Sequence, residues 1–374
     1  MRIALYGATG YAGMEALRIM LQRTDLEIVW IGSDTHADHS LAEVCAQFRG
    51  TSIAALRYSA MRTLEEPPDA DVALLALPHG EAHRHMSGLL AKGVRVVDFS
   101  GDYRLPPALY EQWYKRPAAA AETPAVYGLP EMFRDDIRSA RLVANPGCYA
   151  TAAELALLPL AELGWLDGER IAVDAKSGVS GAGRSPQLTT HFVEIGGNFT
   201  AYRVGQHQHT PEIEQTLSQA SRRRRRTNAG AAASSGATMT MAMDAAAMDG
   251  QGAGAVKILL TTQLMPVTRG IYATAYAPAP SDMNTDDLYE LYRNRYENES
   301  FVDVLPPGQL PELRNVAGTN LCQIGLFVDD RTRTILAAAA LDNLGKGAAG
   351  QALQNVNIML NLPDDYGLAA TAWR

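Results

Sequence analysis

Ile3-Ala4-Leu5-Tyr6-Gly7-Ala8-Thr9-Gly10-Tyr11-Ala12-Gly13, followed by the helically spaced stretch Met14 to Leu21, decides how this chain is read. A short apolar run that ends in glycines every third residue is a strand turning at once into a helix. Glycines are required there when backbone amides must approach a pyrophosphate at a helix N-terminus. The stretch therefore predicts a dinucleotide-binding turn on the first strand of a βαβ unit, with a plain tight turn as the rival. Leu26 to Ile31 follows at βαβ distance, and Val72 to Leu77, Val94 to Phe99 and Leu142 to Ala144 are continuous apolar runs. Strands buried on both faces of a parallel sheet have that texture. The first domain is expected to be α/β, a Rossmann-like doubly wound sheet.

From about residue 150 the pattern changes. Ala152 to Leu163 reads as a helix, Ile171 to Lys176 as a strand, and Ser177 to Arg184 as a glycine-rich turn. Val256 to Thr262, Ile271 to Tyr276 and Gln323 to Val328 are further strands, several alternating as in a mixed or antiparallel sheet with one face covered. This predicts an α+β second domain over 148–340. Leu341 to Gly347 reads as a turn and Ala348 to Leu360 as a helix that packs back on the first domain, giving that domain the expected extent 1–147 plus about 341–374. Arg222 to Arg226 opens a run of mostly Ala, Gly, Ser and Met up to Gly254, read as a low-complexity surface insertion over about 222–254.

With 374 residues, 33 basic and 41 acidic, the chain carries a net charge of −8, which argues against general affinity for nucleic acid or anionic membrane. In that setting the five arginines read as a solvated run, with a nucleic-acid patch as the alternative. Three scattered cysteines form no disulfide framework, no secretory segment opens the chain and no apolar run is long enough to span a membrane, so a reducing cytoplasmic setting is expected.

Cys148 stands in Asn145-Pro146-Gly147-Cys148-Tyr149, after a buried strand and directly before a helix beginning near Thr151. A thiol at a helix N-terminus is biased toward the thiolate, which makes Cys148 the candidate nucleophile and leaves Cys45 and Cys322 as packing residues. Its acid/base partner is best sought in His207-Gln208-His209-Thr210-Pro211-Glu212, where Thr210 reads as an N-cap and Pro211 as the first helical residue. The spacing of His207 and His209 also admits a metal pair on one strand face. His79, His83 and His85 form a second metal alternative, but Pro78 and Gly80 make a turn there, so solvated histidines near the cofactor are the preferred reading and no metal is expected. Arg104 and Arg184 are candidate forks for a carboxylate or phosphate. Gly32-Ser33-Asp34 follows the second strand and offers both a hydroxyl and an acid toward the ribose.

These stretches resemble the N-acetyl-gamma-glutamyl-phosphate reductases of arginine biosynthesis, in the semialdehyde dehydrogenase superfamily. The resemblance runs through GATGYAG at 7–13, ALPHG at 76–80, DFSGDYRL at 98–105, YGLPE at 127–131, NPGCY at 145–149, KSGVSGAGR at 176–184, HQHTPEI at 207–213 and NLGKGAAGQALQN at 343–355. It implies Cys148 as nucleophile and His209 as acid/base. Substrate-binding or supporting roles fall to Arg104, Ser177, Gly178, Arg184, His207 and Glu212. Cofactor contacts fall to Gly7, Thr9, Gly10, Tyr11, Gly13, Ser33, Pro78, His79, Ser100, Gly181, Asn343 and Lys346. NADP is the implied cofactor and a homodimer or homotetramer the implied assembly, but Asp34 stands where the family commonly carries a basic residue, so NAD stays open. Ala150 and Gln263 replace the family's usual proline and histidine. The same chemistry on an aminoadipyl or aspartyl phosphate is the nearest alternative, and a non-catalytic dinucleotide sensor a distant one.

Overall fold

The structure, a computed structural model, describes residues 1–62, 66–119, 124–230 and 255–372, with 225–230 as backbone only. In chain order it begins with β1 (Arg2–Tyr6), α1 (Tyr11–Met20), β2 (Glu27–Gly32), α2 (Leu41–Val44), β3 (Tyr58–Ser59), β4 (Val72–Leu75), α3 (His83–Ala91), β5 (Arg95–Asp98), α4 (Pro107–Tyr114), β6 (Val126–Tyr127), α5 (Pro130–Ser139) and β7 (Leu142–Ala144). It continues with α6 (Cys148–Glu162), β8 (Ile171–Gly178), α7 (Phe192–Ile195), β9 (Thr200–Tyr202), α8 (Thr210–Gly230), β10 (Ile258–Met265) and β11 (Ile271–Pro278). The last elements are α9 (Thr285–Tyr296), β12 (Val302–Val304), α10 (Leu313–Val316), β13 (Cys322–Asp329), β14 (Thr334–Leu341) and α11 (Gly350–Met359). Two compact units result: unit 1 is Met1–Gly147, Gly183–Ser185 and Ala348–Ala369, and unit 2 is Cys148–Ala182, Pro186–Gly347 and Ala370–Arg374.

Unit 1 is built on a parallel seven-stranded sheet in the order β3-β2-β1-β4-β5-β7-β6. Ile3 to Tyr6 and Val72 to Leu75 are wholly buried, as continuous apolar strands covered on both faces must be. Tyr6 pairs with Gly32 and Leu75, Leu75 with Asp98, and Asp98 with Ala144, so the carboxyl ends of five strands lie level. The loops that leave those ends therefore share one edge. Strand order reverses between β1 and β4, which is where sheets of this kind take ligands. Helix α11 packs on α1, α5 and β5, and Asn355 at its centre donates to the Gly128 carbonyl (2.9 Å) and to Asn145 Oδ1 (3.1 Å).

Unit 2 holds a mixed seven-stranded sheet, order β12-β13-β14-β11-β8-β10-β9, with β8 and β10 parallel, β12 and β13 parallel, and the other neighbours antiparallel. α6 crosses β8, β11, β13 and β14 and is packed by α8 and α9. Every residue from Tyr149 to Ala161 is buried, so α6 is the core of this unit. It contains Pro159, which has no N–H for the Leu155 carbonyl. Tyr296 from α9 donates its hydroxyl to that carbonyl (2.6 Å), and Tyr292 donates to the Ala156 carbonyl (2.7 Å), so the gap in the ladder is filled from outside. On the sheet, Leu259, Tyr276 and Phe327 are exposed.

Several boundaries differ from the sequence reading. β4 stops at Leu75 and β5 spans Arg95–Asp98, because the residues beyond turn into loops of the carboxyl edge. β14 was not anticipated: four of its eight residues are alanine, which carries little strand signal. Its last residue is Leu341, and 341–347 accordingly groups with unit 2. α8 runs on through Arg222 to Gly230, where an insertion was expected to begin; arginine and alanine are strong helix formers and simply extend it. Residues 231–254 of the expected insertion lie outside the described residues.

Candidate active site

At the edge of unit 1 the glycine turn is held tightly. Gly7 has φ of +74°, a Cβ on it would run into the Ala76 carbonyl, and one on Gly13 would run into the Gly7 carbonyl. Gly7 and Ala8 both donate to the Gly32 carbonyl (3.1 and 3.2 Å), fixing the turn against the end of β2. α1 starts behind Gly10 with no side-chain cap and no acid in its first turn, so its positive end is not neutralised by the protein. An anion the size of a pyrophosphate fits this cradle. Thr9 Oγ1 lies 3.5 Å from Ser33 Oγ, and Arg184, grouped with unit 1, donates to the Thr9 carbonyl (2.9 Å). Tyr11 is exposed beside the turn.

The neighbouring loops are laced together. His79 Nδ1 accepts the Gly101 N–H (2.8 Å), and Asp102 Oδ1 accepts from Gly80 N (2.7 Å) and the Tyr110 hydroxyl (2.9 Å). Ser100 bonds Asp98 twice, through its N–H (3.0 Å) and its hydroxyl (2.7 Å). Asp98 is wholly buried, and burial, helped by the nearby Asp102 charge, outweighs those bonds and pushes its pKa up to about 7. Arg104 is buried and donates to the Phe99 carbonyl (2.7 Å). The picture of solvated histidines holds only for His83. His79 is a bonded part of the loop, and His85 lies half-buried against the Tyr6 ring at 4.9 Å, its pKa lowered by burial.

In unit 2, Cys148 is itself the first residue of α6, three positions earlier than expected, because the helix starts as soon as the Pro146-Gly147 turn ends. Its thiol thus belongs to the helix's first turn, where unpaired amides and the dipole favour the thiolate. Gly347 comes so close that a Cβ on it would sit 2.8 Å from Cys148 Cβ. Next to Cys148, Tyr149 donates to the Gln263 carbonyl (3.0 Å) and meets the Tyr202 hydroxyl at 2.9 Å. With the Tyr149 proton committed to the carbonyl, Tyr202 is the donor of that pair. Burial raises both phenols, Tyr149 far above its ordinary value and Tyr202 to about 12, so both stay protonated.

These tyrosines enclose two buried imidazoles. Tyr149 lies 5.3 Å from the His207 ring and 6.0 Å from the His209 ring, and the two imidazoles are 4.6 Å apart at 72°. His207 Nδ1 accepts the His209 N–H (3.2 Å) and so carries no proton. Thr210 does not act as the expected cap: its N–H already bonds the His207 carbonyl (2.9 Å), the chain is helical from Thr210, and its hydroxyl makes no hydrogen bond. Glu212 is wholly buried. Asn343 ties the glycine-rich turn down, donating to Ser180 Oγ (2.9 Å) and accepting from Gly270 N (2.7 Å), while Lys346 is buried with Nζ 5.9 Å from the Phe301 ring centre. Ser177 is buried and bonds the Gly178 carbonyl (2.9 Å), and Gly181 is exposed. Among the described residues no three His, Cys, Asp or Glu are grouped to hold a metal.

Residues 2–140 match the family described as "Semialdehyde dehydrogenase, NAD binding domain", and 148–251 and 239–343 match "Semialdehyde dehydrogenase, dimerisation domain". An N-acetyl-gamma-glutamyl-phosphate reductase of Symbiobacterium thermophilum is 41% identical over 371 residues, covering 98% of this chain and 97% of that protein. A protein of the same name from Pelotomaculum thermopropionicum is 41% identical over 372 residues, with 98% and 97% covered. The chain belongs to the N-acetyl-gamma-glutamyl-phosphate reductase family. Its fold is also that of aspartate semialdehyde dehydrogenase II from Vibrio cholerae, with a TM-score of 0.66 at 16% identity over 96% of this chain and 98% of that one.

In this reductase family member, unit 1 brings Gly7, Thr9, Gly10, Tyr11, Gly13, Ser33 and Arg184 to one turn, and His79 and Ser100 to the neighbouring loops. Unit 2 groups His207 and His209 with the residue following Cys148. Tyr149 and Tyr202 were not singled out by sequence reasoning, although Tyr149 stands in the quoted NPGCY stretch. Tyr202 lies on the short strand β9, whose pairing with β10 aligns Tyr202 with Thr262, and no local pattern announces that.

Proposed function

We propose that this chain reduces N-acetyl-gamma-glutamyl phosphate to N-acetyl-glutamate 5-semialdehyde and phosphate, with NADP as its dinucleotide and Cys148 as nucleophile. The observation that carries the reading is the position of Cys148: the first residue of a helix buried from its second residue on, followed directly by Tyr149, whose ring lies against both imidazoles. A solved aspartate semialdehyde dehydrogenase of Candida albicans, of the same fold (TM-score 0.65, 14% identity), contains NADP, which supports the cofactor class.

The Cys148 thiolate attacks the acyl-phosphate carbonyl carbon, forming a C–S bond while the C–O bond to phosphate breaks. The amides at the Gly147-Cys148 turn serve as donors for the oxygen that becomes negative. When bound, the reduced dinucleotide supplies one hydride to the thioester carbon. His209 then protonates the resulting oxyanion and takes that proton back as the C–S bond breaks, which releases the aldehyde and restores the thiolate. The glycine turn with Thr9 and Ser33 holds the dinucleotide, Arg104 and Arg184 supply cations for substrate, and Glu212 supports His209. The dimerisation-type unit 2 fits a homodimer or homotetramer, and a biosynthetic role fits a cytoplasmic location.

The test is phosphate-dependent reduction of NADP by N-acetyl-glutamate semialdehyde, run beside aspartate and aminoadipate semialdehydes. The proposal expects turnover with the first alone. Preference for another semialdehyde overturns the substrate, and turnover surviving Cys148→Ser overturns the mechanism.

A further inference from the structure

We infer that Arg62 selects a ribose 2′-phosphate in the bound dinucleotide and that Asp34 is its positioning residue rather than a ribose acceptor; the inference rests on the NADP reading above. An acid about 20 residues past the glycine turn, at the end of the second strand, is the group that accepts a ribose 2′-hydroxyl in NAD sites. Asp34 stands there, two residues beyond β2, and taken by itself argues for NAD.

Its carboxylate is engaged elsewhere. Asp34 Oδ1 accepts the N–H groups of Met61 (2.7 Å) and Arg62 (2.8 Å), and Oδ2 lies 3.4 Å from Arg62 Nε. The cause is strand register. β2 and β3 are parallel, Gly32 pairs with Ser59, and the Ser33 N–H bonds the Ser59 carbonyl (3.0 Å), so the loops after the two strands leave the sheet side by side. Arg62 is thereby delivered to Asp34 at the end of β2, directly after Ser33, whose hydroxyl lies 3.5 Å from that of Thr9.

The ion pair changes what this corner presents. Its closest approach runs through Nε, on one side of a planar guanidinium with five donors, which leaves the terminal amino groups for a second anion. The Arg62 side chain is 74% exposed and that of Asp34 28%, so the cation, not the acid, faces outward. An anionic 2′-phosphate meets a guanidinium and the Ser33 hydroxyl, and the Asp34 charge that would repel it is already offset. Asp34 serves here as an anchor: two amides and one guanidinium fix the start of the 61–62 segment.

Equilibrium binding of NADPH and NADH to the full-length protein, followed by quenching of its intrinsic fluorescence, tests this without turnover. Wild type is expected to bind NADPH more tightly than NADH. Arg62→Ala weakens NADPH by about 10-fold to 100-fold, the loss of charge-assisted hydrogen bonds to phosphate, and Arg62→Glu weakens it further; NADH is unchanged in both. Asp34→Ala weakens NADPH by a smaller factor with NADH again unchanged, and Asp34→Asn, which keeps the acceptor for the two amides, recovers part of the loss. An NADPH to NADH ratio unaltered by Arg62→Ala overturns the inference while leaving the NADP reading in place. So does an Asp34→Ala protein that gains NADPH affinity and loses NADH affinity, the behaviour of a ribose acceptor. Wild type that binds NADPH no more tightly than NADH defeats the NADP reading itself and the inference with it.

Discussion

α1 and α6 each begin directly beyond a short buried strand and a small-residue turn, Gly7 to Gly10 in one case and Asn145 to Gly147 in the other. Both turns offer the positive end of a helix. α1 is buried on one face only, its turn has no nucleophile, and glycines let its amides approach an anion that stays free to leave. α6 is buried from Tyr149 to Ala161 and puts a partly exposed thiol in its first turn. There the unpaired amides and the dipole favour a thiolate that will form a covalent bond. The same local device thus gives reversible binding in unit 1 and covalent chemistry in unit 2, and the side chain at the turn decides which.

Breaking the covalent half has the largest effect. Cys148→Ser is expected to lower phosphate-dependent turnover by about 10⁴-fold or more, as removal of a nucleophile does, with dinucleotide affinity unchanged. His209→Asn is expected to lower kcat by about 10²-fold to 10⁴-fold, measured under saturating dinucleotide, since the oxyanion then lacks its proton donor. Breaking the reversible half is milder and moves a different quantity. Gly13→Ala forces a Cβ against the Gly7 carbonyl at a cost of about 1–3 kcal/mol, which appears as weaker dinucleotide binding while Cys148 still reacts with acyl phosphate.

Two further variants sharpen the contrast in burial. Tyr296→Phe removes the hydroxyl that serves the carbonyl orphaned by Pro159 and is expected to lower the unfolding free energy by about 1–3 kcal/mol in urea titrations. Asp98 in unit 1 works through pH. Its pKa is raised from 3.8 to about 7 on folding, so its contribution to stability is complete at acid pH and is lost as pH climbs through about 7. Thermal melts of Asp98→Asn against pH should be flatter over that window than those of wild type; an equal slope contradicts the burial argument.

The sheet of unit 1 was legible because each of its principal strands is a continuous apolar run, and the glycine turn because only glycine fits it. Cys148 was legible from its Pro-Gly turn, although the helix start was placed three residues late. Other features depend on partners distant in sequence. β14 is hidden by its alanines and acquires strand character only between β11 and β13. Tyr202 acquires its role from pairing with β10, and His79 from a bond to Gly101 in another loop. Asp34 shows the limit most clearly: residue type and position argue for NAD, and only the register of β2 against β3 reveals the arginine it holds.

The central claim, a thioester on Cys148, is tested most directly by incubating the protein with N-acetyl-gamma-glutamyl phosphate in the absence of reduced dinucleotide and mapping the product by peptide mass spectrometry. The account predicts one N-acetyl-glutamyl group on the peptide containing Cys148, released when NADPH is added and absent in Cys148→Ser. An unmodified Cys148 peptide in protein that turns over normally, or the acyl group on another residue, contradicts it.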